Sequence, residues 1–318
     1  MMKHQEKELE ALVQQINSVI NTIFFWYNLI IRRSNMKKVG MVLEGGGLRG
    51  LYTAGVLDTL MNNNIKIDGI IGTSAGALFG VNYYSNQKGR VLRYNKKYCN
   101  DKRYMSILSF LLTGNYINKN FAFYKMSNEL DKFDNDEYIK EERNFYAVLT
   151  NIETGTPEYI KITNPIEQME YLRATSAIPV ISKIVKIDNK KYLDGGVSDS
   201  IALSKLESLD YKKIIVVETQ PKDYRKTPFS KTKEKFIKLR YFRYPKLVDA
   251  IINRYKNYNK VKEKIIEKEN NKEIFVIRPS RPLGIDMKCK NETKYQEIYD
   301  LGVKDTKKVL NDLKKYIK

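Results

Sequence analysis

The stretch that decides the fold reads Ile70-Ile71-Gly72-Thr73-Ser74-Ala75-Gly76. An apolar strand leads into it, and residues 77–84 continue with a helical pattern. A G-x-S-x-G sequence between a strand and a helix is typical of a nucleophile elbow, in which Gly72 and Gly76 leave room for a sharp turn and the Ser74 hydroxyl projects from the sheet edge. The alternative is an ordinary tight turn in which Ser74 caps the helix.

A second junction between a strand and a helix lies upstream, at Glu44-Gly45-Gly46-Gly47-Leu48-Arg49-Gly50. Consecutive glycines allow backbone N–H groups to converge on a negatively charged oxygen, either a phosphate or a developing oxyanion. The spacing Gly45-x-Gly47-x-x-Gly50 also matches the dinucleotide fingerprint, so a nucleotide-binding protein is the rival interpretation. Its weakness is Asp68, which precedes most of the next apolar strand, whereas a ribose-binding acid should end that strand.

The rest of the chain from Met36 onward alternates strands with helices, which predicts an α/β fold with a mainly parallel sheet covered on both faces. A long helix is predicted over Leu247–Ile266, with an apolar stripe that packs on the core. Arg103–Tyr124 is rich in large apolar residues without periodicity, which fits a buried insertion or an apolar flap over a pocket. The predicted strands are Lys38–Leu43, Ile67–Ile71, Phe145–Thr150, Tyr159–Ile162, Ile214–Glu218 and Glu273–Ile277.

Composition limits the classes of partner. The 318 residues include 57 Lys and Arg against 37 Asp and Glu, a formal charge of +20 that attracts nucleic acid, anionic lipid surfaces or acidic substrates. Because the lysines are scattered through the whole chain, this charge also fits a general compositional habit. Only two cysteines occur, Cys99 and Cys289, which gives neither a disulfide framework nor a metal-type spacing, and a reducing cytoplasm fits best.

The N-terminal 35 residues differ from the rest. Ala11–Ile31 carries no charge, yet Gln and Asn residues interrupt it and only Thr22–Ile31 is densely apolar. Three interpretations stay open: an amphipathic helix lying on a membrane or on the domain, a weak membrane anchor, or an upstream extension with Met36 as the working start. We therefore separate residues 1–35 from a main domain over residues 36–318.

Histidine restricts the chemistry, because the only one in the chain is His4, in that extension. A Ser-His-Asp triad is thus not expected, and a serine hydrolase built from this sequence needs another base. A carboxylate serves if it is desolvated and within hydrogen-bond reach of the hydroxyl. Asp194, followed by Gly195 and Gly196, is the best candidate, and a simple turn aspartate is the alternative.

Taken together, the three motifs resemble the patatin-like phospholipase family: a G-G-G-x-R-G element, a G-x-S-x-G elbow and a downstream D-G-G. They occur here in the family order, at Gly45–Gly50, Gly72–Gly76 and Asp194–Gly196. The segment Ala174–Pro179 is similar to the small-residue segment that precedes the aspartate in the family. The resemblance covers Met36–Leu209, and more loosely the C-terminal helical region.

This resemblance implies a three-layer α/β/α sandwich and a Ser-Asp dyad, with Ser74 as nucleophile and Asp194 as base. It implies an oxyanion hole in the Gly45–Gly50 loop, from the amides of Gly46 and Gly47 with help near Arg49. The reaction would pass through an acyl-enzyme with no metal and no organic cofactor. The implied partners are a lipid or acyl-ester substrate and the surface of an anionic membrane, with no specific nucleic acid, and the location is cytoplasmic or membrane-peripheral.

Overall fold

A computed structural model describes residues 14–27, 38–140 and 143–318, and the chain divides into two units, Met1–Lys37 and Lys38–Lys318. In the first unit residues 14–27 form a helix whose side chains are all exposed, and the remainder of the predicted amphipathic or anchoring segment lies outside the described residues. Within the described ranges, no helix has both the length and the apolar content needed to cross a membrane.

The second unit is built on one sheet of eight strands. Its order is β5-β6-β3-β2-β1-β7-β8, and β4 pairs with β3 beside this path. The central pairs β1–β2, β1–β7, β2–β3 and β7–β8 are parallel, whereas β3–β4, β3–β6 and β5–β6 are antiparallel. The strands are Val39–Leu43 (β1), Gly69–Thr73 (β2), Asn144–Asn151 (β3), Pro157–Lys161 (β4), Val185–Ile187 (β5), Lys190–Asp194 (β6), Lys213–Val217 (β7) and Ile274–Ile277 (β8).

Helices cover both faces of this sheet, because successive strand residues point to opposite sides and both sides are apolar. In β1, Met41 and Leu43 belong to one buried cluster and Val42 to another. The helices of this unit are Gly50–Asn62 (α1), Ala75–Tyr84 (α2), Arg90–Tyr98 (α3), Ile107–Thr113 (α4), Asn135–Ile139 (α5), Met169–Thr175 (α6), Leu203–Glu207 (α7), Lys231–Arg240 (α8), Pro245–Asn270 (α9) and Glu292–Ile317 (α10). Short 3₁₀ turns span Gly47–Arg49 and Gly195–Val197, and a π-helix spans Asn120–Leu130. The expected α/β sandwich with a mainly parallel sheet is confirmed.

Strand β3 is long enough to take two partners end to end along one edge. Its first half pairs with β2, where Thr73 lies opposite Val148. Its last residues pair with β6, where Asp194 lies opposite Leu149. The carboxyl ends of β2 and β6 therefore meet beside β3. Their meeting brings together Ser74, which follows β2, and Asp194, which ends β6, although the two residues are 120 positions apart in sequence.

All six predicted strands are present, and no bound differs by more than two residues. The sequence pattern missed β5 and β6, because these strands are short and their lysines interrupt the apolar run. Residue Asp68 lies at the amino end of β1, where its carboxylate accepts a hydrogen bond from the Val39 N–H at 2.7 Å. This is the end opposite the glycine loop, so the geometry disfavours a dinucleotide site there.

Candidate active site

Ser74 occupies the turn between β2 and α2 and has φ 54° and ψ −123°, a positive φ that is unusual for a residue other than glycine. Such strain costs on the order of 1–3 kcal/mol and persists only where the surroundings enforce it. A Cβ on Gly76 would lie 2.5 Å from the Leu43 carbonyl oxygen, and one on Gly72 would lie 2.6 Å from the Cα of Ala77. The two glycines thus let the helix start directly against the sheet.

The backbone of the elbow is held by a threonine on α6. The Ser74 N–H donates to the Thr175 Oγ1 at 3.0 Å, and the Thr175 hydroxyl donates to the Val148 carbonyl at 2.6 Å. Thr175 is fully buried, so this bridge is shielded from water. It fixes the end of β2 to β3 at the position where the serine leaves the sheet.

Asp194 is brought within direct hydrogen-bond reach of this serine. The Ser74 hydroxyl donates to the Asp194 Oδ2 at 2.6 Å, and the Gly196 N–H donates to the Oδ1 at 2.7 Å. Both side chains are buried, at 6% exposure each. Burial raises the pKa of Asp194 above its ordinary value, although the hydrogen bonds from Ser74 and Gly196 act in the opposite direction. A desolvated carboxylate with a raised pKa is a better proton acceptor for a hydroxyl group.

In the glycine loop, some backbone N–H groups have acceptors and others have none. The Gly45 N–H donates to the Ser200 carbonyl at 3.2 Å, and the N–H groups of Arg49 and Gly50 turn back onto the loop itself. Within residues 38–140 and 143–318, the N–H groups of Gly46 and Gly47 have no protein acceptor. Of the five loop residues predicted for an oxyanion hole, these two carry the available backbone donors.

The shape of the loop depends on its glycines and on a buried acid. Gly47 has φ +56°, and a Cβ there would lie 2.6 Å from the Met287 sulfur. The preceding residue, Glu44, is almost fully buried, and its two carboxylate oxygens accept hydrogen bonds from the Thr219 N–H at 2.5 Å and from the Tyr258 hydroxyl at 2.9 Å. Glu44 thereby ties the loop to the end of β7 and to α9.

An apolar cavity of about 100 Å³ opens at Ser74. Gly47, Leu48 and Ile178 line it together with the serine, and the π-helix contributes Phe123 and Met126. The other apolar lining residues are Ala75, Leu78, Phe79, Val81, Tyr94, Tyr104, Met105, Ile117, Ala122, Phe133, Pro165, Met169, Leu172 and Met287. The stretch Arg103–Tyr124 was predicted to be either a buried insertion or an apolar flap over a pocket. Residues at both of its ends line this cavity, whereas Leu111 and Leu112 in its middle are exposed, so each interpretation applies to part of the stretch.

Several residues of this site were not identified from the sequence. Thr175 falls in the small-residue segment quoted for the family resemblance, and that position was its only signal. Lys226 and Arg254, which lie near Asp194, had no signal, because they are two of 57 cations distributed over the chain. No cluster of three or more His, Cys, Asp or Glu side chains suited to a metal ion occurs in the part of the chain that the structure describes.

Comparison with known proteins adds two family models. Residues 41–206 match the patatin-like phospholipase model, and residues 244–318 match a domain of unknown function, DUF6363. The protein YjjU of Escherichia coli strain K12 is 27% identical over 260 residues, which are 80% of this chain and 72% of YjjU. The solved structure of VipD from Legionella pneumophila aligns with a TM-score of 0.43 at 12% identity, over 87% of this chain and 67% of VipD.

Two fungal lysophospholipases also match the chain. The Aspergillus oryzae protein is 26% identical over 194 residues, and the Coccidioides immitis protein is 28% identical over 197 residues. Each alignment covers 60% of this chain but only 12% of the fungal protein. The patatin-like model spans more than half of the chain and includes the elbow, the glycine loop and Asp194. The chain therefore belongs to the patatin-like phospholipase family.

Proposed function

We propose that this protein is a serine acyl hydrolase that cleaves lipid esters through Ser74 and Asp194. The observation that carries the proposal is the 2.6 Å hydrogen bond from the Ser74 hydroxyl to a buried carboxylate, at the mouth of an apolar cavity. Membership of a family named for phospholipases supports lipid as the substrate class. The names of the fungal relatives agree with this class.

The first step forms an acyl-enzyme. The Ser74 Oγ attacks the ester carbonyl carbon while its proton passes to the Asp194 Oδ2. The carbonyl oxygen becomes an oxyanion, which the N–H groups of Gly46 and Gly47 are free to bind, and one such donor is typically worth about 3–4 kcal/mol in the transition state. Asp194 then returns the proton to the departing alkoxide, so the alcohol leaves and the acyl group stays on Ser74.

The second step repeats this chemistry with water. Asp194 accepts a proton from a water molecule, the resulting hydroxide attacks the acyl carbon, and the same amides stabilise the oxyanion. When the intermediate collapses, the Ser74 Oγ regains its proton from Asp194 and the fatty acid leaves. The Gly196 N–H holds the carboxylate in place through both steps because it binds the oxygen that does not face the serine.

A test of the nucleophile uses a fluorophosphonate probe and a fluorogenic acyl ester. We expect the probe to label Ser74, and Ser74→Ala to lose labelling and to lower ester hydrolysis by at least about a thousandfold. Ser208→Ala, at an exposed serine, is the matched control and should keep full activity. Unchanged hydrolysis by Ser74→Ala would refute the mechanism.

The pH profile gives a second test, of the base. Asp194 must be ionised to accept a proton, so hydrolysis should rise with pH through its raised pKa. In the same window the folded chain keeps a proton that the unfolded chain has lost, so the free energy of unfolding should fall as pH rises. Asp194→Asn should abolish hydrolysis and flatten this part of the stability curve, and an unchanged curve would contradict the assignment.

The cavity is proposed to hold the acyl chain, because its lining is mainly apolar and begins at Ser74. Leu78 is half-buried in this lining, so Leu78→Trp should narrow the space with little effect on folding. We expect kcat/KM for a long-chain ester to fall about tenfold relative to a short-chain ester, which a pair of acyl esters measures. An equal effect on both chain lengths would place the acyl chain elsewhere.

Peripheral contact with an anionic membrane is part of the proposal. On α4 the side chains of Ile107, Leu111 and Leu112 are 67–76% exposed, and Leu239 and Phe242 are 75% and 67% exposed at the end of α8. Exposed apolar groups of this kind mark membrane or protein contacts when they are numerous and close together. The cations on and after α8 are Lys231, Lys233, Lys235, Lys238, Arg240 and Arg243.

The exposed apolar side chains on α4 and those at the end of α8 both lie close in the fold to residues 178–181, a segment that begins in the cavity lining. Ile178 lines the cavity, and two residues later the Val180 N–H donates to the Tyr241 hydroxyl at 2.8 Å, next to Phe242. The Ile181 carbonyl accepts a hydrogen bond from the Tyr116 N–H at 2.9 Å, three residues after α4. A membrane that contacts α4 and α8 would therefore lie near this segment, residues 178–181.

Sedimentation with vesicles tests this contact. We expect more binding to vesicles that contain phosphatidylglycerol than to pure phosphatidylcholine, since a basic residue near an anionic surface contributes about 1 kcal/mol. The double variant Leu111→Ser and Leu112→Ser should weaken binding to both vesicles. Equal binding of the variant and the parent chain would remove this surface from the proposal.

We propose further that residues 36–318 are the hydrolase, with a C-terminal helical region, and that residues 1–35 are an accessory extension. The described site residues all lie in the unit Lys38–Lys318, which supports this division. A chain that starts at Met36 should hydrolyse a soluble ester at the rate of the full chain. A rate at least tenfold lower would show that the extension takes part in the reaction.

A further inference from the structure

Three cations lie around Ser74 and Asp194 without a carboxylate of their own. Arg49 follows the glycine loop, Lys226 lies between β7 and α8, and Arg254 is on α9. All three are half-buried. In the described part of the chain, none of them has a carboxylate within 4 Å, and the Nε atoms of Arg49 and Arg254 are buried with no hydrogen-bond partner. We call these three residues the site cations.

Contacts through Ser200 connect the site cations to the active site. The Lys226 ammonium donates to the Ser200 Oγ at 3.0 Å, and the Ser200 carbonyl accepts the N–H of Gly45 in the glycine loop. The Ser200 hydroxyl donates to the Gly196 carbonyl at 2.9 Å, beside the N–H that holds Asp194. Arg254 lines a small hollow together with Ser200 and Asp199, and the Asp199 carboxylate accepts a hydrogen bond from the Tyr159 hydroxyl at 2.9 Å.

Their charges act on one another and on the dyad. The Lys226 ammonium also lies 3.9 Å from the ring centre of Tyr258, whose hydroxyl is bound to Glu44. Burial, and after it the charge of Arg254, lower the pKa of Lys226 to about 7, although Glu44 and Asp194 act to raise it. Burial also lowers the pKa of Arg254. Keeping these positive charges away from water therefore costs the protein free energy, because buried charges are normally paired.

An anionic group of the substrate would supply the missing counter-charge. The site cations are not among the residues that line the apolar cavity, so a charged group bound by them would not occupy the space proposed for the acyl chain. Two guanidinium groups and an ammonium group together match a phosphate, which offers several acceptor oxygens. A neutral glyceride would leave Lys226 and Arg254 with only carboxylates beyond 4 Å, among them that of Asp194.

We propose that Arg49, Lys226 and Arg254 bind the phosphate of a lipid head group, so that the enzyme selects phosphate-bearing acyl esters over neutral ones. Arg254 lies in residues 244–318, the part that matches the domain of unknown function, and Lys226 lies beyond the end of the patatin-like match. The C-terminal part of the chain would thereby supply the head-group side of the site. This inference rests on the proposed function for the position of the ester.

Binding without turnover tests the inference. Calorimetry on the full chain carrying Ser74→Ala compares lysophosphatidate with a monoacylglycerol of the same short acyl chain, which differs only by the phosphate. We expect lysophosphatidate to bind at least about tenfold more tightly, and Arg254→Gln or Lys226→Gln to remove most of this difference. Lys260→Gln, at an exposed lysine on α9, removes the same charge and should change nothing.

Other results of this calorimetry would contradict the binding of a lipid head group by the site cations. Equal affinities for the two lipids, or an equal loss with Lys260→Gln, would overturn the proposal. If inorganic phosphate binds as tightly as lysophosphatidate, the cluster is a site for free phosphate and not for a head group. Since no bond is cleaved in this experiment, its failure is separate from a failure of Ser74→Ala to stop ester hydrolysis.

Discussion

Helix α9 carries two inward-facing cations, Arg254 and Lys262, that lie eight residues apart and differ in their ion pairs among the described residues. Lys262 is fully buried and pairs with the equally buried Glu218 at 2.7 Å, and Arg278 pairs with the other oxygen of that carboxylate at 2.6 Å. Arg254, closer to Asp194, has no such partner among the described residues. Glu269 completes the first group by binding Arg278 at 2.8 Å.

The difference separates a structural charge cluster from a binding one. Where Lys262 and Arg278 are needed only for packing, the fold supplies two carboxylates to neutralise them. Among the described residues it supplies none within 4 Å of Arg49, Lys226 or Arg254, although desolvation of a charge costs free energy. If these cations bind the proposed phosphate, the protein gives up stability for affinity, which is a common exchange at functional sites.

The largest effect is expected from breaking the structural cluster. Glu218→Gln leaves Lys262 buried without a counter-charge and should lower the free energy of unfolding by about 3–5 kcal/mol. Urea denaturation followed by circular dichroism measures this change. Glu263→Gln, at an exposed position on the same helix as Lys262, should stay within about 0.5 kcal/mol. A loss below about 1 kcal/mol for Glu218→Gln would remove the distinction between the two clusters.

A smaller effect is expected from titrating the site cations. Below pH 7 Lys226 is protonated, and above it the folded, unliganded chain loses this charge, because burial lowers the pKa of Lys226 to about 7. Affinity of Ser74→Ala for lysophosphatidate should therefore fall about tenfold as pH rises through this value. Lys226→Arg keeps its charge and should flatten the profile. A tenfold fall that persists in Lys226→Arg would point to another group.

The smallest effect is expected from removing a site cation in the absence of lipid. Arg254→Met keeps most of the side-chain volume and removes a charge that has no ion-pair partner among the described residues. We expect the free energy of unfolding to stay unchanged or to rise by up to about 1 kcal/mol. Urea denaturation of the unliganded chain measures it. A loss comparable to that of Glu218→Gln would mean that Arg254 has a structural partner.

Local requirements explain why much of the site was predictable. The elbow needs small residues at fixed offsets because Gly72 and Gly76 pack against backbone atoms, and this need is visible in a few consecutive letters. The strands β1, β2, β3 and β7 were predicted for a similar reason, since each is a short apolar run buried on both faces. The parallel core of the sheet followed from these runs.

Asp194 marks the limit of that reasoning. Its motif was identified, but its strand was not, because β6 has only five residues and two of them are lysines. Its position depends on β3 extending past the end of β2, so that β6 can pair with the free residues. No periodicity in the sequence encodes such a pairing, which depends on contacts far apart along the chain.

The sequence by itself determined the parts whose geometry is local: the serine turn, the glycine loop and the strands that hold them. It also argued against a histidine base, since the single His4 lies far along the chain from every motif. Only the tertiary structure placed the predicted Asp194 carboxylate against Ser74, and only it showed which of the described cations near the dyad have no ion-pair partner among the described residues. The reason is physical: backbone strain and close packing restrict neighbouring residues, whereas burial and charge pairing arise only when distant segments come together.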